Sequence, residues 1–73
     1  MQVLFINNEG EGFAGKKDIG EGDTVEQFFR QQMGEDTNPN DFTIRVNRDN
    51  VDASYVLQEG DRVSFTPAKI EGA

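Results

Sequence analysis

At 73 residues and without cysteine, the chain has room for one small domain whose core no disulfide reinforces. Fourteen acidic and seven basic residues give a formal net charge of -7, which disfavours nucleic acid and anionic membranes as partners and favours a monomer. No segment approaches the roughly 20 apolar residues of a membrane span, and the first residues lack the basic start of a signal peptide, so we expect a cytoplasmic protein.

The first predicted elements form a β-hairpin. The unbroken apolar run from Val3 to Ile6 is typical of a central strand that is buried on both faces. Phe13 to Ile19 predicts a second strand, and Gly15 with the two lysines after it makes this strand an exposed edge. The polar segment from Asn7 to Gly12 contains glycine and predicts the turn between the two strands.

The next predicted element is an amphipathic helix from Thr24 to Met33. Its large apolar side chains recur at helical spacing along one face: Val25, Phe28, Phe29 and Met33. Thr24 followed three residues later by Gln27 predicts a capping box at the start. Gly34 suits the left-handed conformation that ends a helix. Because one apolar face needs a cover, we expect a small sheet to pack against it.

The segment after the helix predicts a loop and a well-defined strand. Residues 35–41 are polar and predict a solvated connection without packing side chains. Phe42 to Val46 alternates apolar and polar residues, which is typical of a strand with one face toward water. Residues 47–50 predict a turn, and residues 51–57 predict either a short fourth strand or a crossing segment.

The last predicted strand runs from Arg62 to Thr66, with Val63 and Phe65 inward, and Pro67 ends it by removing a donor. Residues 68–73 have no periodicity and few apolar side chains, so they predict a flexible tail. We therefore expect one domain over residues 1–67, followed by that tail.

Two segments imitate ligand sites without the required context. Gly10 to Gly15 matches the G-x-G-x-x-G pattern of dinucleotide-binding folds, but no helix opening follows and the chain is too short for such a fold. Asp36, Asn38 and Asn40 imitate the first ligands of a calcium loop, but the required glycine and bidentate glutamate are both missing. We interpret the first segment as a hairpin turn and the second as an ordinary polar loop.

The composition also disfavours catalysis. Without histidine or cysteine, the usual general base, thiol nucleophile and zinc ligands are absent. Ser54 and Ser64 are the two serines, and no adjacent group is suited to activate either of them. We expect a protein that is not an enzyme and that carries no cofactor and no metal.

The order strand, strand, helix, strand, short strand, strand is that of a β-grasp domain, an α+β fold with a mixed four- to five-stranded sheet packed on one helix. Val46-Asn47 resembles the strand end V-N-G of the ubiquitin-like sulfur-carrier proteins of thiamine and molybdopterin biosynthesis, the ThiS/MoaD-like family. Leu57 to Val63 matches the L-x-x-G-D-x-V motif of the same family. Ubiquitin-like regulatory domains share that second motif.

This resemblance implies a carrier whose C-terminal tail reacts. In the family, a partner enzyme adenylates the terminal glycine carboxylate with ATP and magnesium, and sulfur transfer then gives a thiocarboxylate. Gly72 matches the penultimate glycine, whereas Ala73 stands where the terminal glycine is expected. The methyl group of Ala73 would crowd a channel built for glycine, unless a peptidase removes that residue.

The resemblance further implies an adenylating, E1-like partner enzyme that docks beside the tail. The expected contact residues are outward positions of two strands together with the start of the tail: Thr43, Arg45, Ser64, Thr66, Lys69 and Ile70. The alternative interpretation is a non-conjugated interaction module that binds a protein through the same face, or at the strand edge near Lys16 and Lys17.

Overall fold

The computed structural model describes residues 1–68, which form five strands and one α-helix. The elements are β1 (Gln2–Asn7), β2 (Phe13–Asp18), α1 (Val25–Met33), a short 3-10 helix (Pro39–Asp41), β3 (Phe42–Val46), β4 (Asp49–Asn50) and β5 (Arg62–Pro67). The strand order is β2-β1-β5-β3-β4, with β1 and β5 parallel and every other pair antiparallel. This mixed sheet on one helix is the predicted β-grasp fold.

The helix begins as its sequence predicts. The Thr24 hydroxyl accepts a hydrogen bond from the Gln27 amide at 3.3 Å, and the Gln27 side chain accepts from the Thr24 amide at 2.8 Å, which completes the capping box. The end differs, because Gly34 has φ 94° and ψ 163° instead of the predicted left-handed helical conformation. No helix within residues 1–68 has the length and apolarity needed to cross a membrane.

Aromatic rings dominate the core between α1 and the sheet. The ring of Phe65, on the central strand, lies 5.1 Å from that of Phe5, 4.9 Å from that of Phe29 and 6.0 Å from that of Phe28 between centroids. Each of these four side chains is at most 3% exposed. Tilted and edge-to-face packing at these distances adds to the gain from burial. The predicted inward positions on α1 and β5 are therefore confirmed.

The prediction that β1 is buried on both faces is wrong. Val3 and Phe5 point into the core and are 1% and 3% exposed, whereas Leu4 between them is 36% exposed. The single helix covers one face of the sheet, and no layer within residues 1–68 covers the other. The interior position of β1 is confirmed, since the strand lies between β2 and β5.

The chain reverses after β3 sooner than predicted. Asn47 and Arg48 both have positive φ, at 55° and 77°, and form a two-residue turn. Asp49 and Asn50 then pair with β3, so the fourth strand lies inside the segment predicted as a turn. Residues 51–57 form a crossing segment, the second of the two predicted alternatives.

Backbone carbonyls of the crossing segment bind the first amides of the helix. The amides of Val25 and Glu26 donate to the carbonyls of Tyr55 and Ala53 at 2.8 and 2.9 Å. Leu57 follows with a fully buried side chain. First-turn amides have no partner inside a helix, so these contacts satisfy groups that would otherwise need water.

The connection over residues 35–41 is more ordered than predicted. Its last three residues form the 3-10 helix, and the Asn38 side chain accepts from the Asn40 amide at 2.9 Å to cap it. The Thr37 hydroxyl donates to the Met33 carbonyl at 3.0 Å, and Thr37 is half-buried. The loop is therefore held by side-chain hydrogen bonds that were not predicted, while none of its side chains belongs to the core.

Candidate docking face

The sheet has an outer face, which we define as the face opposite α1. Directly paired residues of neighbouring strands point to the same face. Thr43 pairs with Thr66, Arg45 pairs with Ser64, and Ser64 in turn pairs with Ile6 of β1. The four strand residues predicted as contacts thus lie together on the outer face, on adjacent strands.

The predicted tail residues Lys69, Ile70, Gly72 and Ala73 lie outside the described part of the chain. Ala68 is the last described residue, and its amide donates to the Asp41 carbonyl at 2.9 Å, just before β3. Since Pro67 pairs with Phe42, the described chain ends next to the Thr43–Thr66 pair of the outer face.

The outer face also contains a basic depression that was not predicted from the sequence. Its volume is about 410 Å³, and its lining residues are Ile6, Asn8, Arg45, Arg48, Arg62 and Ser64. Arg62 was detectable by alternation, because it lies two residues before Ser64 on the same strand. Arg48 was not, since a turn predicted over residues 47–50 does not tell on which face of the sheet its side chain lies.

A hydrogen-bond network around the buried carboxylate of Asp61 adjoins this depression, since Asp61 directly precedes Arg62 of its lining. Asp61 is 6% exposed and accepts from the Asn47 side chain at 2.9 Å and from the Gln58 amide at 2.8 Å. The Asn47 side-chain oxygen accepts in turn from the Arg62 amide at 3.0 Å. The network therefore ties the β3–β4 turn to the start of β5.

This network explains the two motifs on which the family resemblance rests. Asn47 comes from the strand-end motif and Asp61 from L-x-x-G-D-x-V, and they bind each other directly. Gly60 takes φ 84°, while Val63 is fully buried. The residues of both motifs thus hold the β3–β4 turn against the start of β5, which is a structural role.

Tyr55 completes the network, with its hydroxyl 3.4 Å from Asp61. Burial raises the pKa of the Tyr55 hydroxyl above its ordinary value of 10.0, and the charge of Asp61 and this hydrogen bond raise it further. Both effects favour the protonated hydroxyl, which is the form that donates to Asp61.

The two ligand-like segments have ordinary structural roles. Gly10 and Gly12 take φ 63° and 85° in the turn between β1 and β2, which confirms the predicted hairpin. A side chain at Gly15 would meet the Phe13 ring at 2.9 Å, so this glycine makes room for an aromatic ring. Within residues 1–68, no group of three or more acidic side chains is arranged to hold a metal ion.

The chain is similar to a known protein family and to a solved structure. The sequence model of the ThiS family matches residues 4–68. A solved structure, described as a ubiquitin-like protein from the hyperthermophilic archaea Caldiarchaeum subterraneum, matches with a TM-score of 0.68 at 10% sequence identity, over 96% of this chain and 99% of that one. At this identity the structural likeness supports the fold alone. No curated protein matches the chain.

Proposed function

This chain belongs to the ThiS family of small ubiquitin-like, sulfur-carrier-type proteins, and on that premise we propose that it presents its C-terminal carboxylate to a partner adenylating enzyme. The carboxylate attacks the α-phosphate of ATP and pyrophosphate leaves. A sulfur donor then displaces AMP, which gives a thiocarboxylate. The partner supplies the catalytic groups, and the carrier acts as a cytoplasmic monomer. The observation that carries this proposal is the family match over residues 4–68.

The geometry of the sheet supports delivery of the tail. The central strand β5 leads directly to Ala68, which is hydrogen-bonded beside the outer face. A partner that covers Thr43 and Thr66 would meet the chain at the point where the tail begins. Docking and tail capture thus use neighbouring parts of one surface.

Gly72 is the residue that we assign to the reaction. Glycine lacks a side chain, so an extended tail ending in it passes through a narrow channel and reaches the nucleotide. Ala73 adds a methyl group at the terminus, and we propose that a peptidase removes it before activation.

ATP–pyrophosphate exchange with candidate adenylating enzymes of the same organism tests this function. Three forms of the chain are compared, comprising residues 1–73, 1–72 and 1–69. We expect exchange to be fastest with residues 1–72 and absent with residues 1–69, while the shortest form keeps its fold and its affinity for the enzyme. Absence of exchange with every form and every enzyme would contradict the proposal.

A second candidate function is a non-conjugated interaction module. It is favoured by the uncovered outer face, where Leu4 is 36% exposed, because such a surface binds protein without any help from the tail. Removal of residues 70–73 separates the two functions. An interaction module keeps its biological activity after this deletion, whereas a carrier loses it.

A further inference from the structure

The outer face is locally basic in a chain that is strongly acidic. Three of the seven basic residues, Arg45, Arg48 and Arg62, line one depression of about 410 Å³, although acidic residues number fourteen. Ile6 belongs to the same lining, so the surface combines an apolar side chain with guanidinium groups.

These arginines are not neutralised within residues 1–68. Both ion pairs in that part of the chain belong to Arg30 on α1, which binds Glu26 at 3.2 Å and Glu35 at 3.7 Å. Arg45 is positioned by a neutral group instead, since its Nε donates to the Asn50 side chain at 3.1 Å. Positive charge on the outer face therefore remains available to a ligand.

Arg48 occupies a backbone conformation that suits glycine better. Its φ is 77°, in the left-handed region that a side chain disfavours, and the V-N-G strand end of the family has glycine at the corresponding position. Strained backbone conformations cluster at functional sites, so the strain at this turn suggests that the Arg48 side chain has a functional role. Here the side chain lines the basic depression.

We propose that these three arginines bind a carboxylate-rich surface of the partner enzyme, with Ile6 providing apolar contact. The planar guanidinium group matches the geometry of carboxylate and binds it through two parallel hydrogen bonds. Nucleic acid is disfavoured as the occupant, because a long phosphate backbone would extend beyond the three arginines over a chain of net charge -7, whereas a short group of carboxylates need not. The identity of the partner rests on the proposed function, whereas the chemistry of the patch does not.

A titration followed by ¹⁵N NMR tests the patch without any partner. The probes are a blocked hexa-aspartate peptide, a blocked hexa-lysine peptide and inorganic phosphate. We expect hexa-aspartate to shift the amide signals of Ile6, Arg45, Arg48 and Ser64, and hexa-lysine to leave them unchanged. Absence of these shifts, or equal shifts in an R45Q/R62Q variant, would overturn the proposal. Phosphate binding at least as tight as that of the peptide would overturn the assignment to carboxylate.

Binding to the adenylating enzyme tests the same residues in the complex. The variants R45Q, R48G and R62Q each remove one positive charge from the outer face, and R30Q removes one from the helix as the matched control. We expect about 5- to 10-fold weaker binding for each outer-face variant and less than about 2-fold for R30Q. Since R48G also relieves backbone strain, its weaker binding cannot come from unfolding, and its melting temperature checks this.

The two proposals fail in different ways. If the outer-face variants bind and support exchange as well as R30Q does, the arginine patch is wrong and the carrier function stands. If hexa-aspartate binds the patch but no enzyme catalyses exchange, the carrier function is wrong and the patch stands.

Discussion

The inner and outer faces of one sheet are made from alternate residues of the same strands, yet only one of them holds the fold together. On β5, Val63 and Phe65 point inward and are fully buried, while Arg62 and Thr66 point outward and are exposed. Core positions and proposed docking positions thus alternate residue by residue along β5. Substitutions on the two faces are expected to affect different measurements.

The largest expected effect is the loss of a core ring on the inner face. Phe65→Ala removes a side chain that contacts Phe5, Phe28 and Phe29, and we expect the free energy of unfolding to fall by about 3–5 kcal/mol. Urea denaturation measures this change. The control is Thr66→Ala on the outer face, where we expect about 0.5 kcal/mol or less. Equal losses of unfolding free energy for the two variants would contradict the claim that the inner face stabilises the fold more than the outer face does.

The second effect concerns the network beneath the turn. Asp61→Ala leaves the Asn47 side chain and the Gln58 amide without their acceptor, and we expect a loss of about 2–3 kcal/mol in thermal or urea unfolding. Asp52→Ala removes an exposed carboxylate from the same half of the chain and serves as the control. A loss no larger than that of the control would show that the network contributes little.

The third effect has the opposite sign. Arg48→Gly relieves a left-handed residue, and we expect the free energy of unfolding to rise by about 1 kcal/mol. Such a gain corresponds to an increase of about 4–8 °C in melting temperature for a domain of this size. Arg48→Ala removes the same side chain but keeps the strain, so it should bring no such gain. Equal melting temperatures for both variants would mean that the turn is not strained.

The smallest effect is a pH dependence. The pKa of Tyr55 is higher in the folded protein than its ordinary value of 10.0, so folding favours the protonated hydroxyl. The resulting stability is complete below the unfolded pKa and is lost as the pH rises through the folded pKa. We expect Tyr55→Phe to flatten the decline of melting temperature above about pH 10. An unchanged decline would remove Tyr55 as its cause.

The inner face was largely predictable from the sequence. Two periodic patterns are strong signals: the helical spacing of Val25, Phe28 and Phe29, and the alternation from Phe42 to Val46. In both elements the residues that the pattern places inward pack toward the core. The run from Val3 to Ile6 led to the wrong prediction that β1 is buried on both faces. Four consecutive apolar residues do not reveal whether a second layer covers the other face of the sheet. The short strand β4 was predicted too late in the chain, because residues 47–50 were all assigned to a turn that only Asn47 and Arg48 form.

The outer face was predictable only in part. Thr43, Arg45, Ser64 and Thr66 follow from alternation within two strands. Grouping Arg48 with Arg62 requires the turn geometry at Asn47 and the pairing of β5 between β1 and β3. Register between distant strands is not encoded locally, so this cluster became visible only in the folded chain.

Intact-mass measurement of the protein purified from its native host tests the central claim, the carrier function, most directly. The account predicts a population that ends at Gly72 and in which sulfur has replaced one oxygen of the terminal carboxylate. A population that ends throughout at Ala73 with an ordinary carboxylate would contradict it.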